Sequence, residues 1–81
     1  MTSTEIYEKL TVIFRDVFDD DGIAPTPEMT AADVREWDSL SHIRLIVAVE
    51  KALGIRFTSA EVAELKNVGQ FAELINEKVE S

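Results

Sequence analysis

At Thr2–Glu5, Thr30–Asp33, Thr58–Glu61 and Asn67–Gln70, a residue able to cap a helix is followed three places later by an acid or an amide. This spacing lets the first side chain accept from a backbone N–H of the new turn while the second reaches back to the cap, so each pair marks a turn or helix start. Behind the first pair, Ile6, Leu10, Ile13, Phe14 and Val17 recur at helical spacing and predict a helix from Glu5 to Phe18. A second helix is predicted from about Ser39 to Leu53, stopped by Gly54, a residue suited to the left-handed conformation that ends helices. Ile55 and Phe57 then cross in extended form. The pair Thr58–Glu61 opens a short helix with Val62 and Leu65, and Asn67–Gln70 opens a last one with Val68, Phe71, Leu74, Ile75 and Val79. No segment alternates like a strand. The expected fold is all-α: a four-helix bundle of three longer helices and one short one, forming one domain over residues 1–81.

Between the first two helices lies DDDGIAPTPEMTAADVREW, whose glycine, prolines and successive aspartates sustain neither a long helix nor a strand. A structureless connection of this length is uncommon in a small domain and tends to be functional or mobile. The Thr30–Asp33 pair predicts a short turn inside it, with Val34 and Trp37 pinning the loop to the core. The second helix carries Leu40, Ile43, Leu45, Ile46, Val47, Val49 and Leu53, more than one narrow stripe, and is expected to be the most buried helix and the centre of the bundle.

Charge and composition exclude several functions. Sixteen acidic against eight basic residues give a net charge of −8, which repels nucleic-acid backbones and anionic lipid and suits docking to basic patches on proteins. The chain has no cysteine and a single histidine, so neither a disulfide framework nor a thiolate zinc site is expected. Placing Gly22 at the sixth position of a calcium loop puts Asp19, Asp21 and Glu28 at positions three, five and twelve, but position one falls on Val17, and Pro25 and Pro27 interrupt the exit. The acidic run is read as solvated. With no signal-peptide pattern and no apolar run of about 20 residues, the expectation is a cytoplasmic, monomeric protein with neither membrane nor nucleic acid as partner.

The chemistry concentrates at Asp38-Ser39. Asp38 is placed to cap the second helix, leaving Ser39 at its first position with a free hydroxyl facing the long loop. There the backbone N–H groups and the positive end of the macrodipole favour an attached anion such as a phosphodiester. Nothing in the chain activates this hydroxyl as a nucleophile: His42 lies a turn further along, with no carboxylate placed to orient it. No catalytic residue is assigned, and capping alone is the other reading of Asp38 and Ser39.

Opening a hydrophobic helix that ends in glycine and follows a long loop in a small acidic chain, DSL resembles the attachment motif of the acyl carrier and peptidyl carrier proteins. The likeness runs through WDSLSHIRLIVAVEKALGIRF and on through FTSAEVAELKNVGQFAELI. It implies that a phosphopantetheinyl transferase moves a 4′-phosphopantetheine arm from coenzyme A onto Ser39, whose terminal thiol carries acyl or aminoacyl groups between the activating and tailoring enzymes of a pathway. It further implies that the position of Asp38 helps the transferase and its magnesium ion engage, and that Leu40 begins a partner-facing helix, with His42, Ile43 and Arg44 as further recognition candidates. For His42 the alternatives are contact with the arm's phosphate or a partner, and a merely exposed helix histidine. Arg44 is either a transferase contact or solvated, and Trp37 is read as a core anchor.

The chain departs from housekeeping fatty-acid carriers, which have a Leu-Gly-type lead into the Asp-Ser pair and an acidic second helix. Here Glu36-Trp37 leads in, and Asp38 and Glu50 cancel Arg44 and Lys51 along the helix; the loop acids Asp19, Asp20, Asp21, Glu28, Asp33 and Glu36 carry much of the excess. That points to a specialised, polyketide-like or nonribosomal-peptide-like pathway rather than the general fatty-acid carrier. A noncatalytic interaction module that kept the fold but is never modified is the alternative. The small residues Ala48 and Ala52 leave room for cargo along the helix; at about 0.8 kcal/mol per buried methylene, only a long chain gains enough to enter the bundle.

Overall fold

The computed structural model describes residues 2–34 and 37–80; Glu36 of the sequence reading lies outside them. The described residues form helix α1 (Ser3–Val17), a 3-10 turn (Ala31–Asp33), α2 (Ser39–Leu53), the short α3 (Ser59–Ala63) and α4 (Val68–Glu80), with no strand among them. The architecture is the expected all-α one, with its long loop between α1 and α2.

The caps explain why the helices start where they do. The Thr2 hydroxyl accepts from Glu5 N–H at 3.2 Å while Thr2 N–H donates to Glu5 Oε1 at 3.1 Å. The same reciprocal pair opens α3, with Glu61 N–H donating to Thr58 Oγ1 at 3.1 Å and Thr58 N–H to Glu61 Oε1 at 2.8 Å. At Thr30, the backbone N–H donates to Asp33 Oδ2 at 2.9 Å, closing the 3-10 turn. Helix α2 stops at Gly54, whose φ of 67° is left-handed.

Ile6, Leu10, Ile13 and Phe14 of α1 pack against Leu45, Ile46 and Val49 of α2 and against Val68, Phe71, Ala72 and Ile75 of α4. Both larger interhelical contacts are made by α1, with α2 on one side and α4 on the other. This corrects the expectation for α2: it is not the most buried helix. Leu40, Ile43 and Val47 are 61, 60 and 40 % exposed. The reason is geometric, because α3 has only five residues and is too short to cover the second apolar face of a fifteen-residue helix.

The long loop is tied down at many points. Phe18, Ile23 and Val34 are buried, and Arg15 Nε donates to the Ile23 carbonyl at 3.0 Å. The first amides of α4, which no helical carbonyl can satisfy, donate into the loop: Val68 N–H to Met29 O at 2.9 Å and Gly69 N–H to Pro27 O at 3.0 Å. Gln70 N–H takes Asn67 Oδ1 at 2.8 Å, and the Gln70 amide oxygen accepts from Lys66 N–H at 2.9 Å, one residue before the cap expected from the sequence. A Cβ on Gly69 would stand 3.0 Å from the Pro27 carbonyl oxygen, so the glycine permits this close seam between loop and helix.

Candidate functional site

Asp38 is the N-cap of α2. Its Oδ1 accepts from Ser41 N–H at 2.8 Å, and its backbone carbonyl accepts from His42 N–H at 2.9 Å. The Ser41 amide, helped by the Ser41 hydroxyl, holds the Asp38 carboxyl below the usual carboxylate range. With the cap supplied by Asp38, Ser39 is the first residue of the helix and is exposed.

Beside Ser39 runs an open groove of about 610 Å³, walled by Ala31 of the 3-10 turn, by Trp37, Ser39, His42 and Ile43, and by Val62 of α3. It deepens into a more enclosed recess of only about 50 Å³ bounded by Trp37, His42, Leu65 and Phe71. A further groove of about 340 Å³ continues between α2 and α3 past Ile43, Val47 and Val62. The small residues singled out for cargo space lie elsewhere: Ala52 opens onto α1 beside Val12 and Ile13, and Ala48 packs on the core. The space beside α2 lies toward α3 because that short helix stands off from it.

His42 is not a freely exposed side chain. It is half-buried, and its Nδ1 accepts from Trp37 Nε1–H at 3.0 Å, with the two rings nearly parallel at 24° and their centroids 6.0 Å apart. Burial pushes its pKa below the ordinary histidine value. Trp37 in turn lies edge-on to Phe14 at 5.5 Å and tilted against Phe18 at 5.8 Å, the loop-end anchor expected of it. The Trp37–His42 pair was not read from the sequence; an indole and an imidazole five residues apart across a helix cap were its only signal. Leu40 and Ile43 are exposed on the outer face of α2, and Arg44 is exposed beside them. Ser39, Asp38, His42 and Ile43 thus share one groove wall, while Leu40 and Arg44 do not line it.

Among the described residues, no group of three or more His, Cys, Asp or Glu side chains is placed to hold a metal ion, and no helix is long and apolar enough to cross a membrane.

Comparison with known proteins gives the family. Residues 8–75 match the family model described as "Phosphopantetheine attachment site". Over 79 residues, 98 % of each chain, the sequence is 34 % identical to an acyl carrier protein of Thermosynechococcus vestitus, and it is 28 % identical over 98 % of each chain to one from Guillardia theta. The solution NMR structure of a holo acyl carrier protein from Geobacter metallireducens superposes with a TM-score of 0.87 at 49 % identity, covering 91 % of this chain and 85 % of that one. The chain belongs to the acyl carrier protein family, whose prosthetic group is 4′-phosphopantetheine. Members of this family are carriers rather than catalysts, and work with a phosphopantetheinyl transferase and the enzymes of acyl pathways.

The residues present fit such a group. A phosphodiester needs an accessible hydroxyl that no intramolecular bond occupies, and Ser39 is exposed, its side chain making no hydrogen bond among the described residues. A flexible, part-polar arm needs a surface to lie along, and the groove offers an apolar floor with Asp38 and His42 at its edge.

Proposed function

We propose that Ser39 bears the 4′-phosphopantetheine arm and that this chain is a cytoplasmic carrier, without catalysis of its own, for acyl or aminoacyl groups of a specialised pathway. The observation that carries this reading is the placement of Ser39: exposed, first in α2, behind a separate capping residue and at the mouth of a groove. When attached, the arm supplies a terminal thiol on which an acyl group is held as a thioester. The protein's own residues present the hydroxyl, cap the helix and offer a docking face.

That face is the uncovered side of α2, where Leu40, Ile43 and Val47 recur at helical spacing with Arg44 beside them. Asp38 and Leu40, either side of Ser39, engage the transferase, and His42, Ile43 and Arg44 extend the contact. Because opposite charges cancel along α2, partner choice rests on apolar fit more than on attraction to basic patches. This supports a polyketide-like or nonribosomal-peptide-like pathway over general fatty-acid synthesis. Fatty-acid condensing enzymes are expected to elongate the charged protein poorly; elongation at the rate of their usual carrier would overturn the pathway assignment.

The attachment site is tested by intact mass after incubation with coenzyme A, magnesium and a broad-specificity phosphopantetheinyl transferase. Wild type should gain one arm and Ser39→Ala none. A folded wild type that gains nothing would leave Asp38 and Ser39 as a helix cap in an unmodified interaction module.

A further inference from the structure

The Trp37–His42 pair has a consequence for the attached arm. An indole nitrogen is a donor only, so the bond from Trp37 Nε1 to His42 Nδ1 requires Nδ1 to be unprotonated. In the neutral ring the single hydrogen then sits on Nε2. That nitrogen has no hydrogen-bond partner among the described residues, yet it is not sealed from solvent, since no half-buried or buried polar side-chain atom in the described structure is left both enclosed and unpartnered. Its ring lines the groove that Ser39 also lines. Helix geometry directs it further: side chains lean toward the helix N-terminus, and residues three apart lie on adjoining turns with Cβ atoms about 5–6 Å apart, so a residue at position 42 leans back over position 39.

Resting on the carrier reading of Ser39, we infer that Trp37 locks His42 in its Nε2–H tautomer, and that this N–H donates to a phosphodiester oxygen of the arm on Ser39, holding the arm's first atoms along the groove. Trp37 is the positioning residue and His42 the group that touches the cofactor. Edge-on packing on Phe14 and tilted packing on Phe18 give the indole little freedom, so the donor is aimed before any arm arrives. Two charged side chains wall the same space, Asp38 beside Ser39 in the groove and Lys66 at the inner recess.

The test is NMR on apo protein and on holo protein whose arm is confirmed by intact mass. Long-range ¹H–¹⁵N spectra of the imidazole should show the Nε2–H tautomer in the apo protein. The anionic phosphodiester should raise the His42 titration midpoint by roughly half a unit in the holo protein. A phosphodiester has no titration of its own between about pH 5 and 8, where histidine changes charge, so its ³¹P resonance should show a step at the His42 midpoint. His42→Gln should abolish the step. Trp37→Phe, which keeps an aromatic ring on Phe14 and Phe18 but removes the donor, should give mixed tautomers and a smaller step, with helicity unchanged by circular dichroism. Holo wild-type protein whose ³¹P resonance is flat, or whose His42 midpoint equals that of the apo form, would overturn the inference while leaving the carrier role intact. A folded protein that accepts no arm would overturn both, and intact mass separates the two failures.

Discussion

The two faces of α2 are built from the same residue types and do opposite things. Leu45, Ile46 and Val49 are buried against α1 and the rest of the core, whereas Leu40, Ile43 and Val47 of the same helix stand open to solvent. A fifteen-residue helix apolar on both sides is common in the interior of a larger protein, but here a five-residue α3 is the element facing the second side. Apolar periodicity therefore reports which residues can be buried, and the length of the neighbouring element decides which ones are. What stays uncovered is an apolar strip of Leu40, Ile43 and Val47 open to solvent, the face proposed above for docking.

The largest expected effect breaks the comparison directly. Leu45→Ala removes a fully buried side chain and should destabilise the fold by about 3 kcal/mol, through lost burial and the cavity left behind. Leu40→Ala should change stability by less than about 0.5 kcal/mol while slowing charging by the activating enzyme. Denaturant unfolding of the two variants measures the contrast; equal losses would mean that the outer face is structural.

A smaller effect sits at the junction of the two faces. Asp38→Ala removes the α2 cap and should lower stability at neutral pH by less than Leu45→Ala does. Because the folded-state carboxyl lies below its ordinary value, its contribution is present above the usual carboxylate range and is lost as pH falls through the folded value. Unfolding curves of wild type and variant should converge on acidification, and a constant gap would show that the ionised cap contributes nothing.

The smallest effect concerns His42, on the groove side of the helix. Burial favours its neutral form, so between the folded and unfolded pKa values the unfolded chain binds more protons, and stability is lost as pH falls from the ordinary histidine range through the lower folded value. Protonation at Nδ1 also sets two donors against each other at Trp37. Thermal melts should show wild type losing ground to His42→Gln as pH is lowered from about 7.5 to about 5. Parallel curves would mean that burial and the Trp37 bond leave no trace in stability.

Much of this was legible in the sequence. The caps at Thr2, Asp38 and Thr58 and the turn at Thr30 follow from side chains bonding to backbone three residues away, and the stop of α2 follows from the left-handed backbone that Gly54 accepts. Ser39 stood out for the same reason, as a hydroxyl beside a residue already assigned to the cap. Three features escaped. The seam from Val68 and Gly69 to Met29 and Pro27 joins residues about forty positions apart. The Trp37–His42 bond depends on an indole orientation set by Phe14 and Phe18 of a different element. Reading α2 as the buried centre failed because periodicity carries no information about what packs against each face.

By itself, then, the sequence determined the helices, their caps and the serine behind the Asp38 cap, because those depend on interactions within one turn of chain, where connectivity alone brings the partners together; it did not fix every end, since α3 stops at Ala63, short of the Leu65 expected in it. Only the tertiary structure decided which side of α2 is buried, where the groove runs and that Trp37 meets Nδ1 of His42. Those outcomes depend on groups far apart in the chain, whose distances are set by how α1, α3, α4 and the long loop share one small core.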